Sequence, residues 1–365
     1  MNATTTTSPD AVTAPARVPD QRRPRRPGRL RPQAFRRPLA ALAVAAVSVA
    51  AVFTVTPLSG LVGWAVVTYP AFLGLLAADT GRREGQVAAR DQVATVLVAT
   101  CGLITVVPLL LIVGYVVSQG IKGLSGAFFS QTLESVGPLD PPTMGGARHA
   151  IVGTVEQVGL ATLLATPLGL LTAVHLTESR GRLSRVVRLL VDAMSGIPSI
   201  VAGLFIYTMW VVRLQQGFSG LAAAMALAVL MLPTVARAGE EVLRIVPASL
   251  REASLALGAP QWRTVLRVVL PAARNGIVTA AVLGVARIAG ETAPLLMTAF
   301  GSDSLNTNPF RGAQSALPLF AFQRVRNAVP SQIARGWAAA LVLIVIVLTL
   351  FTVARALAAR ARKAP

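Results

Sequence analysis

Charge is what this chain has least of. Asp, Glu, Lys and Arg together make up 13% of its 365 residues, where soluble domains carry about a quarter. An ordinary water-soluble globule is therefore excluded, and no soluble domain is legible anywhere along the sequence. The single cysteine, Cys101, excludes an intrachain disulfide and leaves the thiols silent about compartment. Lysine is almost absent: only Lys122 and Lys363 occur, and neither stands in a Gly-x-x-x-x-Gly-Lys-Ser/Thr setting. Without that loop there is no backbone cradle for nucleotide phosphates. The two histidines, His149 and His175, have no partners at metal-ligand spacing, so both are expected at membrane interfaces and no metal site is expected.

In place of charge the chain has long apolar runs. Hydrophobic residues make up 54%, gathered into stretches of about 18 to 25 residues, the length that crosses a bilayer as a helix. Spans are predicted at about 39–56, 60–78, 93–118, 150–176, 190–212, 219–236, 275–299 and 335–354. The fold class is all-α, a polytopic helical membrane protein. The net charge of +19 would point to nucleic acid in a soluble protein, but its distribution points elsewhere. With the N-terminus inside, only Lys122, Arg148, Arg213, Arg311, Arg324, Arg326 and Arg335 of the 34 basic residues fall outside. Arg287 lies within a span, and the other 26 are cytoplasmic. That asymmetry is the positive-inside pattern, with both termini cytoplasmic. The excess reports topology and attraction to anionic lipid, not nucleic acid.

Residues 1–37 form a Thr/Pro/Arg-rich arm with no apolar periodicity, which predicts a disordered cytoplasmic tail. A cleaved signal is disfavoured because a second apolar run follows the first within a few residues, with no convincing small-residue cleavage site between them. Residues 38–92 are expected to hold a helical hairpin of two membrane spans and a basic cytoplasmic loop, and residues 93–365 six further spans. The outer connections at 119–149 and 300–333 carry Pro, Gly and aromatic residues, which predicts folded loops or short interfacial helices. The longest inner connection of this second part runs from about 237 to 274.

That inner connection is the most informative segment. Pro247 can open a helix, since its missing amide hydrogen would be unpaired in a first turn anyway. A short helix over 248–257 is predicted, then a turn at Gly258, which has no Cβ to oppose positive φ. Pro260 discourages continuation, and a second helix starts at about 261. The product is a helix–turn–helix on the cytoplasmic face. Glu252, Ala253, Ser254, Gly258, Val268, Leu270 and Pro271 stand here at ungapped spacing. In this the chain resembles the permease subunits of binding-protein-dependent ABC importers, whose cytoplasmic loop reads Glu-Ala-Ala, three residues, Gly, nine residues, Ile, one residue, Leu-Pro. Ser254 for Ala and Val268 for Ile are the two conservative departures. The resemblance implies a six-span permease core preceded by two extra transmembrane helices, with these seven residues docking a separate ATPase. ATP and its magnesium would be bound by that partner; the chain itself would bind no cofactor and catalyse nothing.

Arg287 and Glu291 fall in the middle of the predicted span 275–299, where an ionisable residue costs about 2.5–3.5 kcal/mol on insertion scales and usually faces a bundle interior or an aqueous path. Their spacing predicts one shared helix face. Arginine's planar donor fork suits an oxyanion, with Glu291 setting its availability; the alternative is a self-neutralising pair that only holds helices together. Ser195 and Ser199 flank Pro198, where freed backbone groups mark either a pathway wall or tight helix packing. Asp192 near Arg188 is expected to form a local i, i+4 pair, and Glu156 to be interfacial or paired with Arg148.

The segment Ala286-Arg287-Ile288-Ala289-Gly290-Glu291-Thr292-Ala293-Pro294-Leu295-Leu296 resembles the signature of PstA-type permeases of phosphate importers. So do Gly145-Gly146 with Ala150–Thr154, and Ser195–Phe205. The resemblance covers roughly residues 93–357. It implies a phosphate importer of the bacterial cytoplasmic membrane, with a homologous second permease, two copies of an ABC ATPase and an extracytoplasmic phosphate-binding protein as partners. Arg287, Glu291, Thr292, Ser195 and Ser199 would line the path. Two alternatives stay open: another oxyanion such as molybdate or sulfate, since the residues' chemistry says only "anion", and an ion-gradient-driven secondary transporter.

Overall fold

The apolar runs fold as helices, and the only β feature among the described residues is an isolated bridge between Phe300 and Gln314. The computed structural model describes residues 40, 42–50, 61–179 and 181–360; the expected disordered arm and residues 51–56 of the first predicted span lie outside them. In chain order the helices are α1 (42–50), α2 (Leu61–Glu84), α3 (Gln86–Gly123), α4 (Gly126–Ser130), α5 (Arg148–Glu178), α6 (Arg182–Ser195) and α7 (Ser199–Ile206), which continues as a π-helix over Tyr207–Arg213. Then come α8 (Gly220–Ile245), α9 (Ala248–Ala256), α10 (Gln261–Thr264), a π-helical stretch at Val265–Val269, α11 (Leu270–Ala289), α12 (Ala293–Thr298), α13 (Leu317–Val325) and α14 (Pro330–Arg360).

Among the described residues, five helical stretches are long and apolar enough to cross a membrane: Gln86–Gly123, Arg148–Glu178, Gly220–Ile245, Gln261–Ala289 and Pro330–Val353. The pair α6 and α7 makes a sixth if taken as one broken span. The chain divides into two compact units at Pro108. In the first, Ala45, Phe72 and Leu76 form a small core, and Tyr69 Oη donates to Thr100 Oγ1 at 2.9 Å.

The second unit is organised about α5 and α8. Ala161, Ala165, Gly169 and Ala173 recur every fourth residue on α5 and are all buried, so one face of the helix is a strip of small side chains that lets backbones approach closely. A Cβ on Gly169 would come within 2.9 Å of Val235 on α8, and one on Gly239 within 3.0 Å of Ala173. A central core adds Leu227, Leu230 and Met231 of α8, Ile288 of α11 and Leu295 of α12. At one end Phe128, Leu317, Phe320, Ala338 and Ala339 close the loops between α3 and α5 and between α12 and α14. At the other end Ala173, Leu243, Val246, Val269 and Ala273 pack beneath the α9–α10 elbow.

Two predicted spans are corrected. The span at 190–212 is two helices bent by 103°. Gly196 and Ile197 close α6 with bonds to the carbonyls of Ala193 and Met194, and Pro198 turns to an extended ψ of 138° because it has no amide to continue the ladder. The half before the bend starts at Arg182 and carries Arg185, Arg188 and Asp192, so it is amphipathic rather than apolar. The span at 275–299 ends early: α11 stops at Ala289, and Gly290, Glu291 and Thr292 are not helical. Pro294 explains the break, since it cannot donate to the carbonyl of Gly290 and its ring would press on it. Conversely, α8 runs on to Ile245 and takes up the first part of the expected inner loop.

Candidate functional site

The inner connection folds as an elbow. Pro247 precedes the first turn of α9 at φ −56° and ψ 136°. The helix ends at Ala256, and Gly258 sits at φ +80°, a left-handed value that costs other L-residues about 1–2 kcal/mol. Amides of Leu257, Gly258 and Ala259 bond back to the carbonyls of Ala253, Leu255 and Ser254, closing the turn. Pro260, extended at ψ 152°, starts α10. Ser254 Oγ and Thr264 Oγ1 are 2.9 Å apart, a hydroxyl bond that ties one arm of the elbow to the other. Glu252, Ala253 and Gly258 are exposed, and Leu257 at the tip is 89% exposed. Val268 and Leu270 are half-buried where the second arm enters the bundle. There Leu270 donates to Val265, one residue further back than in an α-helix, immediately before Pro271, which has no amide to give the carbonyl of Arg267.

Two anchors of this elbow escaped the sequence. Arg251, next to Glu252, donates to the carbonyls of Val246 at 3.0 Å and Leu243 at 2.8 Å. It therefore caps the last turn of α8, where carbonyls lack helical partners. The same guanidinium meets Glu178 at the end of α5 at 3.1 Å, and Gln261 Nε2 of α10 donates to the carbonyl of Glu178. The second anchor is Glu240, 2% exposed. Its Oε1 takes Arg188 Nη1 of α6 at 2.7 Å and Arg244 Nη2 at 2.6 Å, while Oε2 takes Arg237 Nη1 at 3.1 Å. The spacing of Arg237, Glu240 and Arg244 was the available signal, because i, i+3 and i, i+4 neighbours share a helix face. The expected local pair of Arg188 and Asp192 does not form: Asp192 pairs with Arg237 and Arg188 with Glu240, so both bonds join α6 to α8.

The expected path residues are distributed over three elements. Arg287 lies near the end of α11, exposed, and Glu291 lies in the break after it, half-buried. The helix ends between them, so they do not share a helix face, and among the described residues neither side chain has an ion pair or hydrogen bond. Thr292 precedes α12. Ser195 ends α6 with its hydroxyl donating to the carbonyl of Val191 at 2.8 Å, and Ser199 opens α7; the bend stands between them. What the structure does bring together is α7 and α12. A Cβ on Gly203 would sit 2.6 Å from Pro294 Cα, so the absence of a side chain there seats the Ser199 segment against the Thr292–Pro294 segment.

On the opposite face two expectations change. His149 is 1% exposed and stacks edge-on against Phe320, with ring centroids 5.4 Å apart, because α13 folds back over it. Glu156 accepts from Gln314 Nε2 at 2.5 Å, and Gln314 Oε1 in turn accepts from Gln157. That chain of amides fastens the loop after α12 to α5.

Residues 165–363 match the family of binding-protein-dependent transport system inner membrane components. The chain belongs to that family, a multi-pass inner membrane component and not itself a catalyst. Its relatives include the phosphate transport system permease protein PstA 1 of Mycobacterium tuberculosis (strain ATCC 25618 / H37Rv), 42% identical over 281 residues, which are 76% of this chain and 91% of that protein. The phosphate transport system permease protein PstA of Mycobacterium leprae (strain TN) is 41% identical over 260 residues, 71% of this chain and 85% of that one. The PstA of Xylella fastidiosa (strain 9a5c) is 39% identical over 248 residues, 67% and 84% respectively. Among solved structures, an inward-facing MetNI methionine ABC transporter chain aligns with a TM-score of 0.47 at 21% identity, covering 58% of this chain and 93% of that one.

Proposed function

We propose that this chain is the PstA-type permease subunit of an ATP-driven phosphate importer of the bacterial inner membrane. It pairs with a homologous permease so that the path lies between the two. Two copies of an ABC ATPase sit beneath it, and an extracytoplasmic binding protein delivers phosphate to the outer loops. Both termini are cytoplasmic, residues 38–92 add two spans ahead of a six-span core, and ATP and magnesium belong to the partner ATPase. An ion-gradient-driven carrier does not fit a family defined by binding-protein-dependent transport.

The observation that carries the proposal is the elbow: an exposed knob whose two arms are the ends of packed helices. Movement of the ATPase pair pushes on Glu252 to Gly258. The elbow cannot yield alone, because Arg251 fixes it to α8 and Glu178, and Ser254 fixes α9 to α10. The push passes through Val269 and Ala273 into α11. That helix ends at the Gly290–Thr292 break, beside which α12 rides on α7 through Gly203 and Pro294. Arg287, exposed and without a counter-ion within the described chain, offers its donor fork to the passing anion. Thr292 and Ser199 supply hydroxyls at the two helix starts, with Ser195 across the bend. Uptake of labelled phosphate in cells whose only importer contains this chain tests the substrate. Competition by unlabelled phosphate but not by sulfate or molybdate is expected; equal competition by either would transfer the assignment to that oxyanion.

A further inference from the structure

The inner ends of α5, α6 and α8 and the start of α9 enclose a cleft of about 740 Å³ whose lining includes Glu178, Ser184, Arg185, Arg188, Arg244 and Arg251. Its electrostatics are unbalanced by construction of the fold. Four guanidiniums line it beside one carboxylate, Glu178, which Arg251 holds, and two of them, Arg188 and Arg244, share one oxygen of the buried Glu240. A single buried oxygen thus holds two arginines side by side and cannot neutralise both. Arg185 has no ion pair or side-chain hydrogen bond among the described residues. The N-terminus of α6 opens into the same space: Gly181 lines the cleft and provides no side-chain cap for the first turn, so amides and the positive end of a 14-residue helix add to the field.

We propose that this cleft is a binding site for a phosphate group, either the headgroup of an anionic phospholipid or inorganic phosphate on the inner side. The chemistry fits: tetrahedral oxyanions accept several charge-assisted bonds at once, and arginines pre-positioned by a carboxylate lose little freedom in making them. The lipid source has its own support in α6. Leu183, Val186 and Leu190 are all more than half exposed and project away from Arg185 and Arg188 by helical geometry. A helix with one apolar and one basic face lies in the interfacial plane, where headgroups sit. Because Arg251 belongs to the cleft and also caps α8 at the elbow, an occupant braces the elbow against α5 and α6. That consequence rests on the coupling role given to the elbow above; the binding itself does not.

The test is direct binding, read without transport. The full-length chain in neutral detergent is titrated calorimetrically with dihexanoyl phosphatidylglycerol, with the zwitterionic dihexanoyl phosphatidylcholine and with inorganic phosphate, alongside R185Q, R244Q and R287Q. Saturable binding of phosphatidylglycerol or of inorganic phosphate is expected, weaker by about tenfold or more in R185Q and R244Q, with parental Tm in R185Q. Phosphatidylglycerol alone identifies a lipid site; inorganic phosphate alone identifies an inner-side ion site. Absence of binding by both anions, equal affinity in R185Q and the parent, or loss in R287Q but not in R185Q would overturn the proposal. The last of these would place the anion in the transport path.

Discussion

At Arg287 the chain keeps a guanidinium in the otherwise apolar last ten residues of α11 and gives it no carboxylate partner among the described residues. A packing pair with Glu291 on one helix face is removed as an explanation because the helix ends between them. Arg287→Gln is therefore expected to reduce phosphate uptake by about tenfold or more, with unchanged membrane insertion and unchanged Tm in detergent. Parental uptake would make the residue dispensable. Glu240 is the opposite case, a buried carboxylate with three arginine partners. Glu240→Gln leaves those donors with a neutral acceptor, and its expected cost is about 1–3 kcal/mol, read as a lower Tm of the purified chain.

Among the elements, the α7–α12 contact and the elbow are the two that couple other parts. Gly203 is where a side chain is least tolerated near the path: Gly203→Val would drive Cβ into Pro294 Cα, and overpacking of this kind costs about 1–3 kcal/mol. The expected outcome is a protein that reaches the membrane but transports poorly, measured as uptake per unit of inserted chain. The elbow was legible in the sequence because Pro247, Gly258 and Pro260 punctuate it and each acts locally, through a missing amide or a missing Cβ. The two broken helices were not. Pro198 and Pro294 gave the same kind of signal, but both stand in uniformly apolar runs, where hydropathy registers a continuous span and hides the bend. Arg182, Arg185 and Arg188 likewise announce the amphipathic α6, whose inner limit the apolar count placed at residue 190. Ion pairs such as Arg188 with Glu240 depend on which helices meet, and no local spacing encodes that.

At the scale of the whole second unit, folded loops close one end of the bundle, and at the other the elbow sits beside Arg188, Arg244 and Arg251. The all-helical membrane class followed from apolar length alone, while of the eight spans predicted the described residues hold five, or six with the bent pair; the distribution of Lys and Arg supplied the orientation proposed. The central claim is mechanical: work done by a nucleotide-hydrolysing partner enters through residues 248–264. Leu257, at the tip and 89% exposed, reports on this directly once the sole native thiol, Cys101, is replaced. Leu257→Cys in a Cys101→Ala background, treated with a short bifunctional thiol reagent in inside-out vesicles, is predicted to crosslink to the ATPase subunit and to stop ATP-driven phosphate uptake when it does. Labelling of that thiol by a membrane-impermeant reagent from outside intact cells, or full uptake with the crosslink in place, would contradict the account.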